Sequence, residues 1–75
     1  MGTKEISDLP LAAFLSVIGY QIQSIKPSGK KSIFVFEESG ELEKSVLDYF
    51  NRIGKVEPLS FAETIRNLKA LTLQG

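Results

Sequence analysis

The sequence predicts a small single domain of the α+β class, α-β-β-α-α, with one antiparallel hairpin packed against helices. Three observations predict it. Two apolar-rich runs flank Pro27-Ser28-Gly29. After Phe36 the spacing of apolar residues changes from two to about 3.6. Gly19 and Gly54 close the apolar stretches that precede them. The domain spans residues 1–75 with its core in 6–73; residues 1–5 carry no apolar pattern and are expected to fray.

Ser7 and Asp8 are good N-cap residues for the first helix. With Ser7 as cap, Ile6 can staple onto Leu11, and Pro10 falls in the first turn, where no amide needs an intrahelical partner. Gly19 can adopt the positive φ of a helix terminus after Ile18. Leu11, Leu15 and Ile18 form one stripe, and Phe14 and Val17 widen it, so this helix should be buried on more than one side.

Tyr20–Lys26 and Lys30–Glu37 read as the hairpin. Pro27-Ser28-Gly29 suits a three-residue loop in which Gly29 takes the left-handed position. That loop would set Tyr20 opposite Phe36 and Ile22 opposite Phe34, an aromatic core face. Gln21 and Gln23 would then lie with Val35 and Ile33 on the other face.

Glu37, Glu38, Glu41 and Glu43 crowd the junction that follows. Ser39 is the expected N-cap of the second helix, which puts Glu41 and Glu43 at its first turn, where acids are stabilised by roughly 0.3–1 kcal/mol each. Leu42, Val46, either Tyr49 or Phe50, and Ile53 form its apolar stripe, and Gly54 ends it. The acidic cluster therefore reads as a cap and a solvated strand end, not as a metal or acid/base site. In the third helix Pro58 fits the first position and Val56 can staple onto Phe61. Ser60 and Glu63 offer a rival start. Phe61, Ile65, Leu68 and then Leu71 or Leu73 form the apolar stripe.

Composition excludes several functions. The chain has no cysteine and no histidine, which removes disulfides, thiolate chemistry, His-dependent catalysis and ordinary zinc sites. Nine basic and nine acidic side chains cancel, so the chain lacks the overall positive field that draws nucleic acid. No apolar run is long enough to span a bilayer, and no basic segment precedes Leu9 in the manner of a secretory signal. A cytoplasmic protein is the expectation. No glycine pattern for nucleotide binding is present. No catalytic, cofactor-binding or metal residue is assigned, no cofactor is expected, and the reading is of a non-enzyme.

Two sets of residues remain as binding candidates. Ile33-Phe34-Val35-Phe36 puts apolar side chains on both faces of a strand, and an isolated two-stranded sheet is marginal in water. A homodimer built on Ile33, Val35, Phe14 and Val17 would cover the surplus. The second set is basic: Lys26, Lys30 and Lys31 at the hairpin tip, and Arg52, Lys55, Arg66 and Lys69 around the last two helices. These are the candidate contacts for nucleic acid. The same cations could instead keep the sheet edge soluble or pair with neighbours, Asp48 with Arg52 and Glu63 with Arg66.

Asp8-Leu9-Pro10-Leu11-Ala12-Ala13-Phe14-Leu15, Gly19-Tyr20, Phe34-Val35-Phe36-Glu37, Leu42-Glu43, Tyr49, Val56, Pro58, Phe61, Arg66 and Leu68-Lys69 resemble a family of small prokaryotic and phage proteins known as a domain of unknown function. The likeness runs from residue 8 to residue 73 and rests mostly on structural positions. It implies a self-standing domain and no activity. Glu37, Arg66 and Lys69 match without an obvious core role, which makes them candidates for a shared surface. The leading reading is a non-catalytic interaction module that binds protein, including itself. The alternative is an accessory nucleic-acid binder.

Overall fold

The computed structural model describes residues 2–52 and 55–73, the side chain of Leu73 excepted. Its elements in order are β1 (Thr3–Ile6), α1 (Leu9–Val17), β2 (Ile22–Ser28), β3 (Lys31–Glu37), α2 (Gly40–Phe50) and α3 (Pro58–Leu73). The strands form one antiparallel sheet in the order β1-β3-β2. The helices lie against one face, with α1 packed on both α3 and α2. The α+β class, the hairpin and the three helices agree with the sequence reading.

β1 is the main departure from it. The expected frayed segment is a strand, pairing Lys4 with Phe36 and Ile6 with Phe34. Only one of its inward residues is apolar, so the sequence shows no alternation. Ile6 is buried in the core, and Lys4 at the rim sends its Nζ 3.3 Å to Glu43 Oε1 on α2. Apolar stem inside and charge outside is how lysine serves such a position. β1 also occupies the edge of β3 that a two-stranded hairpin would leave open.

The hairpin turn is shorter than expected. Ser28 pairs with Lys31, leaving only Gly29 and Lys30 in the loop. Gly29 has φ +62°, the glycine-first pattern of a tight type II′ turn. Pro27 lies within β2, opposite Ser32, where an edge strand tolerates its missing amide. The register moves accordingly: Ile25 faces Phe34, and Ile22 faces Phe36 instead of Phe34. An irregularity between Ile22 and Ser24 absorbs the slip. Because that bulge restores the alternation, Tyr20, Ile22, Phe34 and Phe36 still meet on the core side.

Local signals placed the helices well. Asp8, not Ser7, caps α1, its Oδ1 accepting from the Leu11 amide at 3.1 Å. Ser39 caps α2 in the same way through Leu42 N at 3.0 Å. Glu57 accepts from the Leu59 and Ser60 amides ahead of Pro58. Gly19 follows α1 with φ +117°. Five consecutive residues, Leu11 to Leu15, are buried, which fits a helix covered on several sides. Asp8→Ala is expected to lower stability by about 1 kcal/mol, read as a reduced urea midpoint with an unchanged slope.

α2 ends earlier than expected, at Phe50, with Asn51 as its C-cap. Gly54, the expected terminator, and Ile53 lie outside the described residues. Arg52 supplies the turn, with φ 60°. On α3, Phe61, Ile65 and Leu68 face the core, whereas Leu71 is exposed.

Candidate functional site

The four residues expected to build a dimer face are not brought together. Phe14, 4% exposed, belongs to the core with α1. Val17 is half-buried at the end of that helix. Val35 and the half-buried Ile33 lie on the opposite face of the sheet. Val35 is only 4% exposed there although it stands outside the core cluster. Glu5 and Ser24 flank it, and Lys26 flanks Ile33. Lys26 Nζ reaches 3.3 Å to Glu5 Oε2, so the pair bridges the central strand. Both side chains are half exposed, and the contact is worth less than about 1 kcal/mol.

The basic candidates are dispersed. Lys26 is engaged with Glu5. Lys30 and Lys31 flank the last turn of α3, lining open hollows together with Thr72. Cations at a helix C-terminus are favourable without any ligand. Arg52 and Lys55 precede the other end of α3, a helix of 16 residues and hence about 24 Å long. Arg66 and Lys69 are exposed along α3. Among the described residues neither Asp48 with Arg52 nor Glu63 with Arg66 forms an ion pair; the pairs formed are Lys4–Glu43 and Lys26–Glu5. The left-handed backbone at Arg52 takes its side chain off the helical spiral that would align it with Asp48.

The acidic residues span a strand end and a helix start. Glu41 and Glu43 occupy the first turn of α2, Glu43 is bound by Lys4, and the Glu38 amide donates to the Gly2 carbonyl at 3.0 Å. Glu37 is exposed at the end of β3. Among the described residues no three acidic side chains converge on a point.

A site that the sequence did not single out lies where α2 runs into α3. Phe14, Tyr49, Phe50, Arg52, Val56 and Phe61 line an open groove of about 510 Å³. The aromatic rings step outward from the core. Phe14 and Tyr49 have centroids 5.2 Å apart. Tyr49 and Phe50 meet edge to face at 5.6 Å. Phe14 is the floor, and Phe50, 62% exposed, is the lip. Val56 and Phe61, on either side of Pro58 in the chain, complete the lining of the groove. Leu47, one turn before Phe50, is 59% exposed, and Leu59 in the first turn of α3 is 76% exposed.

Burial, reinforced by the negative charge of Asp8, raises the pKa of the Tyr49 phenol above its ordinary 10.0. The fold thus favours the neutral phenol. That contribution is fully present below about pH 10, the unfolded value, and is lost as pH rises through the folded value.

Arg52 is the one non-glycine residue with positive φ among those described. This conformation costs a residue with a Cβ roughly 1–2 kcal/mol. Glycine suits it but surrenders more chain entropy. Arg52→Gly is therefore expected to raise stability slightly, by up to about 1 kcal/mol, seen as a higher thermal midpoint.

The fold and the groove define a class: a two-layer α+β domain, helices on one side of a three-stranded sheet, carrying an open aromatic recess. The chain belongs to the family described as Domain of unknown function (DUF5659), whose model matches residues 1–74. Comparison with curated proteins and with solved structures finds no match. No helix among the described residues is long and apolar enough to cross a membrane.

Proposed function

We propose that this domain is a non-catalytic interaction module that binds protein through the groove between α2 and α3. One observation carries the reading. Phe50 forms the exposed lip of an aromatic recess, and the exposed Leu47 continues its apolar surface along α2. A side chain as large as phenylalanine gains roughly 1.5–3 kcal/mol on burial, so its exposure beside a partly filled recess marks a contact surface better than scattered leucines do. A second copy and a segment of another protein are the two kinds of partner. A homodimer through the outer sheet face has less support, since β1 fills the open edge and Val35 is already buried.

The test is a selection of random dodecapeptides displayed on phage, run against the wild type and against Leu47→Ser/Phe50→Ser, together with sedimentation velocity of both. Both substituted side chains are exposed, so the double variant should keep its fold and its urea midpoint. The reading expects peptides, or a dimer, specific to the wild type. Identical behaviour of the two proteins overturns it.

A further inference from the structure

The groove has a charged element as well as an apolar one. Arg52 lines it from a backbone conformation that glycine or asparagine normally fills at a helix terminus. Its guanidinium has no carboxylate within 4.0 Å among the described residues, although Asp48 stands four positions earlier. An arginine held in a strained turn beside aromatic walls is suited to a planar anion, because its fork of N–H donors matches a carboxylate. Backbone strain concentrates at functional sites, and here it is an observed outlier.

We propose that the groove takes a peptide segment in which an aromatic or leucine side chain stands next to a carboxylate. The anchor seats against Phe14, Tyr49 and Phe61, and Arg52 binds the acid. This rests on the reading that the groove is the protein-binding surface. The recess is open, whereas a small molecule needs enclosure over most of its surface to bind well. Phe50 and Leu47 extend the apolar contact beyond the recess, as a peptide requires. Single-stranded nucleic acid also uses aromatic and arginine side chains, but it needs a track of cations. Here Arg52 is the one cation among the described residues lining the groove, Lys55 being its nearest basic neighbour in the chain, and the lysine pair of the hairpin is at the far end of α3. One lining cation matches a single carboxylate; a run of phosphates would need more.

The experiment takes a dodecapeptide selected on the wild type and titrates it by fluorescence polarisation, at low and at physiological salt. Three variants accompany the wild type: Arg52→Gln, Arg52→Glu and Arg52→Gly. Selected peptides should carry Glu or Asp within two residues of Phe, Tyr, Trp or Leu. Arg52→Gln should weaken binding about tenfold, and Arg52→Glu further. Changing the peptide's acid to its amide should weaken binding to the wild type by the same factor and leave binding to Arg52→Gln unchanged. Arg52→Gly should bind as poorly as Arg52→Gln while melting no lower than the wild type, which separates recognition from folding.

Selected peptides without an acidic preference would overturn the inference and leave the proposed function standing. So would an amide substitution equally harmful on Arg52→Gln. A wild-type dimer dissolved by Leu47→Ser/Phe50→Ser would give the groove to a second copy and also overturn it. Tighter binding of dodecathymidylate than of any peptide would replace the peptide with nucleic acid. Failure of the wild type to enrich any peptide or to self-associate would remove the proposed function and the inference together.

Discussion

Removing residues 2–6 is expected to leave a chain with no cooperative unfolding transition. The segment holds Ile6, whose burial contributes roughly 1.5–3 kcal/mol. It also holds the whole of β1, the strand that closes one side of β3. Without it, one edge of the central strand is open and Phe34 loses one of its two cross-strand neighbours. The remaining two strands form a hairpin that is marginal on its own. Urea unfolding followed by far-UV circular dichroism checks this. A truncated chain that unfolds cooperatively at the wild-type midpoint would show that β1 adds nothing to the fold.

Phe36→Ala is expected to have an effect of the same order. The ring is fully buried between the sheet and the helices. Phenylalanine-to-alanine changes in cores typically cost about 3–5 kcal/mol. A domain of 75 residues has a total stability on the order of 4–11 kcal/mol. The variant should therefore lose about a quarter of its stability or more and melt many degrees lower. A loss below about 1 kcal/mol, the range of volume-conserving swaps, would mean that the sheet and helices are not packed around this ring.

Those two positions differ in how readily the sequence discloses them. Phe36 ends an apolar run of four residues, three positions before a capping serine, and the expected hairpin register puts it on the core face. β1 offers Thr3, Lys4, Glu5 and Ile6, which resembles a polar tail. Its strand character comes from tertiary pairing, and its inward lysine conceals the alternation. Helix ends were legible for the opposite reason. Caps such as Ser39 and Asp8 act within one turn, so a few adjacent residues determine them. Two ends depart from the reading: Asp8 takes the cap that Ser7 was expected to supply, and α2 ends at Phe50 with a left-handed arginine at position 52. The register was hidden by Pro27. A proline suggests a loop, but on an edge strand it can stay within the ladder, and the turn then shortens to Gly29 and Lys30.

The groove was hidden differently. Phe14, Val56 and Phe61 each read as core residues of their own helices, and nothing local shows that they leave a recess between them. One signal was available. Tyr49 and Phe50 are adjacent and about 100° apart around a helix, and the stripe of Leu42, Val46 and Tyr49 leaves Phe50 at its margin. Leu47 departs from the stripe of Leu42, Val46 and Tyr49 in the same way. An apolar residue off the stripe at each of two successive turns marks an exposed face. The residues of the two surfaces that the sequence favoured are spread by the tertiary structure: Phe14 lies in the core and Val35 on the other side of the sheet, while the cations lie on the sheet, along α3 and near both of its ends.

The most direct test of the groove as the binding surface is a map of amide chemical-shift changes in the ¹⁵N-labelled protein as a selected peptide is added. The proposed function and its peptide partner predict changes centred on Leu47 to Arg52, Val56 and Phe61, absent in Leu47→Ser/Phe50→Ser. Changes centred instead on Ser24, Ile33 and Val35, or on Lys30 and Lys31, would contradict it and move the interface to the outer sheet face or to the hairpin tip.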